Sequence, residues 1–311
     1  MKIYTGLEFK RMLLMVLLFV FAAASGWTAV SVPLKGVTFG DWLTAAEAYH
    51  VQSTLYTRAD FEAVKSLGFD HVRIPVNFKT SDCIAPDYPI DPILFKVLDQ
   101  ALTWAEEVGL KVVIADDGEF NTVTEAGYLA AVWKQVAARY KNKGDFLIYD
   151  VYPEPTIGNA DLNTLLSGLI PEIAAVDDRH AVIVTSSTYG NPVTLKDLLN
   201  QTGSNIVYAF RMTEPWIFTY QGGETPPGGT LVTTGIPFPY DAARMPVQDP
   251  ADAGNATLAT WYNEYFDRGT VAYVQNVINS VATNNASRNG PLMCTTFGAP
   301  FDNIPAADRT A

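Results

Sequence analysis

Cysteine and histidine are scarce in this sequence. Two cysteines, Cys83 and Cys294, in 311 residues are too few for a disulfide scaffold. They lie far apart and show no C-x-x-C or Cys/His spacing, so zinc has no support. Each is read as a small buried hydrophobe. The three histidines, His50, His71 and His180, show no H-x-x-x-H spacing, which leaves a histidine metal centre without a pattern. Positive charge is also short: 21 Lys and Arg stand against 33 Asp and Glu, a net charge of −12. Such a surface repels nucleic acid and anionic membranes, and a neutral ligand fits it better. No G-x-G-x-x-G follows the first strand pattern, so a dinucleotide-binding fold loses its main sequence support. No internal repeat is present.

The N-terminus reads as a targeting segment. Lys2, Lys10 and Arg11 precede an apolar run from Met12 to Ala24, and small residues follow from Ala22 to Gly26. These are the n-, h- and c-regions of a secretory signal. The run is shorter than the ~20 residues a membrane span requires; the alternative is an uncleaved anchor. Removal of residues 1–26 takes away three positive charges and Glu8, moving the net charge from −12 to −14. The expectation is a secreted or extracytoplasmic chain with a working domain over 27–311, monomeric and off the membrane after signal cleavage.

What the chain does have is alternation. Strand patterns occur at Gly36–Phe39, His71–Pro75, Lys111–Ala115, Phe146–Val151, Ala181–Thr185, Ile206–Phe210 and Leu292–Thr295. Between them, apolar residues recur at i, i+3 and i+4 over Thr57–Leu67, Asp91–Val108, Thr124–Tyr140, Leu162–Val176 and Ala256–Val281, which predicts helices. Asp60, Asp91 and Thr124 sit where helix starts are favoured. Near-continuous apolar strands separated by helices imply a parallel sheet covered by helices. The class is α/β, and about seven units over this length predict a TIM-type (β/α)8 barrel. The pattern stops early: after the seventh strand only Phe297–Ala311 remain, with a possible helix start at Asp302–Ala311 and no eighth strand. The barrel is therefore expected to be incomplete at its C-terminus, with exposed sheet edges. Thr219–Gly254, rich in Gly, Pro and Thr, is expected to form a functional loop over the barrel mouth.

In a barrel of this kind the chemistry sits at the C-terminal strand ends. Residues 148–155 read Ile-Tyr-Asp-Val-Tyr-Pro-Glu-Pro. Glu154 follows the fourth strand between two prolines, which restrict the neighbouring backbone. On its own it is equally an exposed acid in a turn.

Several motifs in order resemble glycoside hydrolase family 5, the cellulase-like (β/α)8 hydrolases. Gly36-Val-Thr-Phe-Gly-Asp-Trp-Leu43 is similar to G-V-N-L-G-N-W-L. Lys65–Val76 is close to the family's second strand with its arginine, here Arg73. Trp133–Tyr140 matches the helix before strand four. Phe210–Gly222 resembles F-H-Y-Y-E-P-x-x-F-T-H-Q-G. The resemblance implies cleavage of β-linked polysaccharide such as β-glucan, with Glu154 as the acid/base; no cofactor is expected, and the residue spacing gives no metal site.

The same resemblance exposes departures. The family's nucleophile is the glutamate of G-E-F-G after strand seven, and the segment here is Cys294-Thr-Thr-Phe-Gly298. Thr296 stands at the nucleophile position. A hydroxyl without an adjacent base is a poor nucleophile and offers no negative charge to an oxocarbenium-like transition state. The expected loss is roughly 4 kcal/mol or more of barrier stabilisation. Pro153 replaces the Asn before the acid/base, Asp117 the His after strand three, and Arg211 and Thr213 the His and Tyr of strand six. Tyr220 replaces a further His, whereas Arg73, Glu154 and Glu214 are kept.

Three functional readings follow. The first is a pseudo-glycosidase that binds a polysaccharide or oligosaccharide without cutting it, through Arg73, Asp117, Tyr152, Arg211, Trp216 and Trp42, with Phe218 as a further aromatic. Sugar faces stack on aromatics, although core or rim packing is the commoner fate of a barrel Trp. The second is an active hydrolase in which Asp116, Asp117 or Glu119 replaces the second carboxylate; inverting enzymes hold their carboxyls about 6.5–9.5 Å apart. The third is an oxygen-ligand site for Mg²⁺ or Ca²⁺ from Asp116, Asp117, Glu119 and Glu154, with Arg211 binding an anionic substrate. Its spacing matches no metal motif.

Overall fold

Seven strands pair in sequence order, every one parallel to its neighbours. The computed structural model describes residues 32–33, 35–118, 126–203, 205–225, 229–299, 303–304 and 308. The leader over 1–26, Glu119, Thr124 and most of Asp302–Ala311 lie outside the described residues. In chain order the elements are β1 (Gly36–Thr38), α1 (Arg58–Ser66), β2 (His71–Val76), α2 (Pro92–Val108), β3 (Lys111–Asp116), α3 (Ala126–Tyr140), β4 (Leu147–Asp150) and α4 (Asn159–Ala174). Then follow β5 (Ala181–Thr185), β6 (Ile206–Met212), α5 (Ala256–Arg268), α6 (Val271–Asn285) and β7 (Leu292–Phe297). The sheet curls into an incomplete (β/α)8 barrel. Among the described residues β1 and β7 do not pair, so the seven-stranded sheet keeps two edges.

Period-two alternation sorts the strand residues. Val72, Ile74, Ile114, Tyr149, Val184 and Tyr208 face outward into the main core beneath the helices. Val113, Ile148, Ile183, Val207, Ala209 and Met293 form a separate inner cluster. Each fully buried Val, Leu or Ile contributes about 1.5–3 kcal/mol, and both clusters are Val/Ile-rich because a sheet covered on both faces has no solvent face. The helices start where the caps predict. The Asp60 carboxylate accepts from the Thr57 N–H at 2.7 Å. Asp91 accepts from the Ile93 N–H at 2.8 Å, with Pro92 at the first helical position and Gly109 ending α2 at φ +78°.

One expectation needs correction. The helix read over Ala256–Val281 is two helices. Gly269 ends α5, and Thr270 caps α6 by accepting from the Tyr273 N–H at 3.1 Å. Apolar periodicity alone did not register a Gly-Thr pair as an end followed by a start. The segment Thr219–Gly254 is packed in place. It follows β6, includes a short antiparallel pairing of Gly223–Glu224 with Thr230–Leu231, and shares an apolar cluster with α5 through Ile217, Leu231, Ile236, Leu258, Trp261 and Tyr265. Buried Asp252 fixes it by accepting from the N–H groups of Val232 at 2.8 Å and Thr233 at 2.9 Å.

At the opposite end of the sheet a buried polar cluster joins β4 to β5. The Tyr149 hydroxyl donates to Asp177 Oδ2 at 2.9 Å, and His180 Nδ1 lies 2.6 Å from the same oxygen. Burial alone would raise the Asp177 carboxyl. Hydrogen bonds from His180, Tyr149 and the Arg179 amide outweigh it and hold the group at about 2. A depressed carboxyl stabilises the fold above its unfolded value and loses that contribution as pH falls through about 2. Asp177→Ala is therefore expected to cost about 3 kcal/mol at pH 7, by removing the buried acceptor that His180, Tyr149 and the Arg179 amide share. Urea midpoints at pH 7 and pH 2.5 would check this; the deficit should shrink at the lower pH.

Candidate active site

Parallel pairing brings the C-terminal ends of all seven strands to one end of the sheet, and inward parity selects the side chains that meet there. Arg73 on β2 reaches Asp150 on β4, with Nε at 3.4 Å and Nη2 at 3.3 Å from Oδ2. Asp150 is completely buried. Burial pushes its carboxyl up to about 6, against the opposing pull of Arg73. The sequence reading did not single out Asp150; its signal was an acid on the inward-facing parity of β4, beside Ile148 in the inner cluster.

Glu154 stands four residues beyond Asp150. Its carboxylate is half exposed and pairs with Arg211 Nη1 at 2.8 Å, while the arginine is largely buried. One turn positions both. After β5, Thr188 and Tyr189 adopt φ of +56° and +59°, and Gly190 follows at +76°. The Tyr189 N–H donates to the Pro155 carbonyl at 2.9 Å, tying the turn to the Glu154 loop. A Cβ on Gly190 would lie 2.8 Å from Arg211 Cγ. Only glycine supplies both that backbone and that space.

Thr296 lies in register with Arg211 on the neighbouring strand. The ladder slips between Phe210 and Arg211, so Thr295 is the extra residue of a bulge, a device that re-aims side chains at barrel rims. The Thr295 hydroxyl donates to the Phe210 carbonyl at 3.4 Å. Among the described residues no carboxylate or imidazole bonds the Thr296 hydroxyl. The structure thus gathers Glu154, Arg211 and Thr296 into one arc across β4–β7, with Arg73 and Asp150 beneath.

The candidate second acids separate clearly. Asp116 is buried on the outward parity of β3, and its Oδ1 accepts from the Gly118 N–H at 2.9 Å. Burial pushes its carboxyl up to about 8. Its outward parity sets it apart from Arg73, Asp150 and Arg211, which face inward. Asp117 is exposed at the rim. Partial loss of hydration raises its carboxyl, Arg73 opposes, and Glu154 adds to the rise, so it shares the field of the Glu154 site. Glu119 lies outside the described residues. Among those residues no group of three His, Cys, Asp or Glu side chains is placed to hold a metal. Cys83 and Cys294 are both free thiols.

The aromatic assignments change. Trp42 is 1% exposed and packs within 6.4 Å of Phe39 and Phe61 and 5.3 Å of Tyr56. Its faces are covered, so it is core and not a sugar platform. Tyr152 is buried too, its hydroxyl 3.3 Å from that of Thr156. Trp216 and Phe218 pack against the α5 cluster, Trp216 edge-on to Trp261 at 4.9 Å. Glu214 is buried 3.6 Å from Arg268 and lines a cavity of about 470 Å³ with Met212, Phe218, Phe238, Val274 and Phe297, whose lining does not include Glu154.

The model of the family described as cellulase (glycosyl hydrolase family 5) matches residues 32–307. This chain belongs to that family. Endoglucanase 3 of Fibrobacter succinogenes is 25% identical over 292 residues, 85% of this chain and 44% of that protein. Endoglucanase C of Acetivibrio thermocellus is 24% identical over 204 residues, 60% of this chain and 59% of that protein. The chain thus spans about half the length of these curated relatives. Among solved structures, a hyperthermophilic endo-β-1,4-glucanase in complex with substrate superposes with a TM-score of 0.69 at 22% identity, over 88% of this chain and 81% of that one. The cellulose synthase subunit Z of Clostridioides difficile gives 0.67 at 22% identity, over 89% and 84%. These two likenesses establish the family's fold. No helix among the described residues is long and apolar enough to cross a membrane.

A prediction follows from Asp116. An acid whose folded value lies above its unfolded one weakens the fold as pH rises from about 4 towards 8. Asp116→Asn removes that loss. It should leave stability near the parent's at pH 4 and raise it by roughly 2 kcal/mol or more at pH 7, at about 1.4 kcal/mol per pH unit. Urea unfolding at the two pH values measures it; equal differences at both would contradict the burial argument.

Proposed function

We propose that this family 5 chain binds β-linked polysaccharide in the cleft around Glu154 and hydrolyses it weakly or not at all. The observation that carries this reading is Thr296. It stands at the position the family resemblance gives to the nucleophile, opposite Arg211, with no base on its hydroxyl among the described residues. A retaining mechanism needs two carboxyls about 5–5.5 Å apart, one to protonate the leaving oxygen and one to attack the anomeric carbon. Glu154 supplies the first. One of its oxygens is bonded to Arg211; in this reading the other is the one that meets the glycosidic oxygen. Arg73 holds Asp150 in place below, while Asp117 and Arg211 line the wall that meets the sugar. The β-glucan preference rests on relatives named endoglucanases. Export follows from the leader over 1–26, leaving a monomeric domain over 27–311 that works outside the cytoplasm.

A second reading has one observation in its favour. Asp117 shares an electrostatic field with Glu154 and carries a raised carboxyl. It would activate water on the face opposite Glu154, giving inversion, and Glu119 would serve the same role. Sugar release from β-glucan, mannan and xylan by the purified chain, beside Glu154→Ala, separates the two. The expected outcome is background release from both proteins, a deficit of about a thousandfold or more against a site with both carboxyls. Release by the parent that Glu154→Ala abolishes would reject the impaired-site reading in favour of Asp116, Asp117 or Glu119.

A further inference from the structure

We propose that Arg211 and Thr296 form a carboxylate-binding subsite within the cleft, so that the preferred ligand is a glycan bearing an acidic sugar. The inference rests on the reading of the Glu154 cleft as glycan-binding and names the ligand's chemistry. Arg211 is built into place: its stem lies over Gly190, in space that any side chain there would fill. The turn that provides this space is bonded to the Glu154 loop. A guanidinium carries five N–H donors in a planar fork. Among the described residues its one acceptor is Glu154, met through Nη1, and its buried Nε has none. Thr185 on the adjacent strand sets its γ-methyl against Gly190, and its buried hydroxyl has no partner either. Register then sets Thr296 beside Arg211, adding a hydroxyl that donates as readily as it accepts.

A cationic fork next to a donor hydroxyl complements a carboxylate, which takes paired N–H bonds in one plane. A phosphate dianion fits less well than a carboxylate monoanion, because Glu154, Asp150 and Asp117 already place negative charge around Arg211 and oppose the dianion more strongly. The net charge of −12 opposes approach of an anion at long range. At physiological ionic strength that field is screened over about 8 Å, so the choice is made by the local groups. The carboxylate has two possible sources, a uronic acid residue within a β-linked glycan or a free small carboxylate, and they are separable.

Isothermal titration of the full chain would compare a glucuronate-bearing β-linked oligosaccharide with its neutral counterpart of equal length, and acetate alone. Arg211→Met removes the fork. Thr296→Glu fills the subsite with an internal carboxylate. A thermal melt establishes which variants are folded. The expected result is at least about tenfold tighter binding of the acidic oligosaccharide, reduced to parity in whichever variants fold, with weak acetate binding lost in the same variants. Acetate binding that needs Arg211, without a preference between oligosaccharides, assigns the subsite to a free carboxylate. Equal binding of acidic and neutral ligand with no acetate binding overturns the subsite and leaves the glycan reading standing. A preference that survives in folded Arg211→Met also overturns it. Absence of any glycan or acetate binding overturns both.

Discussion

Parallel pairing is the constraint on which everything else depends. Because every strand of the sheet points the same way, residues distant in sequence end at one mouth, and alternation decides which of them face inward. Arg73, Asp150, Thr185 and Arg211 share inward parity on β2, β4, β5 and β6, which is why one cleft floor holds two cations and a buried acid. The bulge in β7 then sets Thr296, and not Thr295, opposite Arg211. Glu154 does not belong to a strand at all. It is carried just past β4 by a proline-flanked loop and fixed by Arg211.

The site's electrostatics follow from the same arrangement. Asp116 and Asp150 are both acids at the ends of adjacent strands and both completely desolvated. They differ because Asp150 has Arg73 within 3.3 Å of one oxygen, whereas Asp116 has a backbone N–H and the field of Lys79 but no bonded cation. A charge partner offsets part of the desolvation penalty, and a single amide offsets less. Burial thus pushes one acid up to about 6 and the other up to about 8.

Much of the scaffold was legible in the residues. Seven apolar runs with Val, Ile and Tyr at alternating positions marked the strands to within two residues, and caps at Asp60 and Asp91 marked helix starts. The position of Glu154 at a strand end was legible because proline on both sides leaves the backbone few options. Three features were not. Trp42 looked like a rim platform, yet Phe39, Tyr56 and Phe61 converge on it from separate elements, and sequence spacing does not show convergence. The Gly269–Thr270 break was hidden because both helices continue the same apolar periodicity. The Arg211 notch depends on Gly190 and two residues with positive φ, a conformation that Ser-Ser-Thr-Tyr-Gly does not announce.

The central claim is that the family scaffold is kept while the second carboxylate is missing beside Arg211. Its most direct test is a gain of function: reducing ends released from β-glucan by folded Thr296→Glu, measured against the unmodified chain. The account predicts at least about a hundredfold faster release by the variant, since a charged group restored next to the reacting carbon is worth roughly 3 kcal/mol or more. A folded variant no faster than its parent, or a parent that already matches it, would contradict the account.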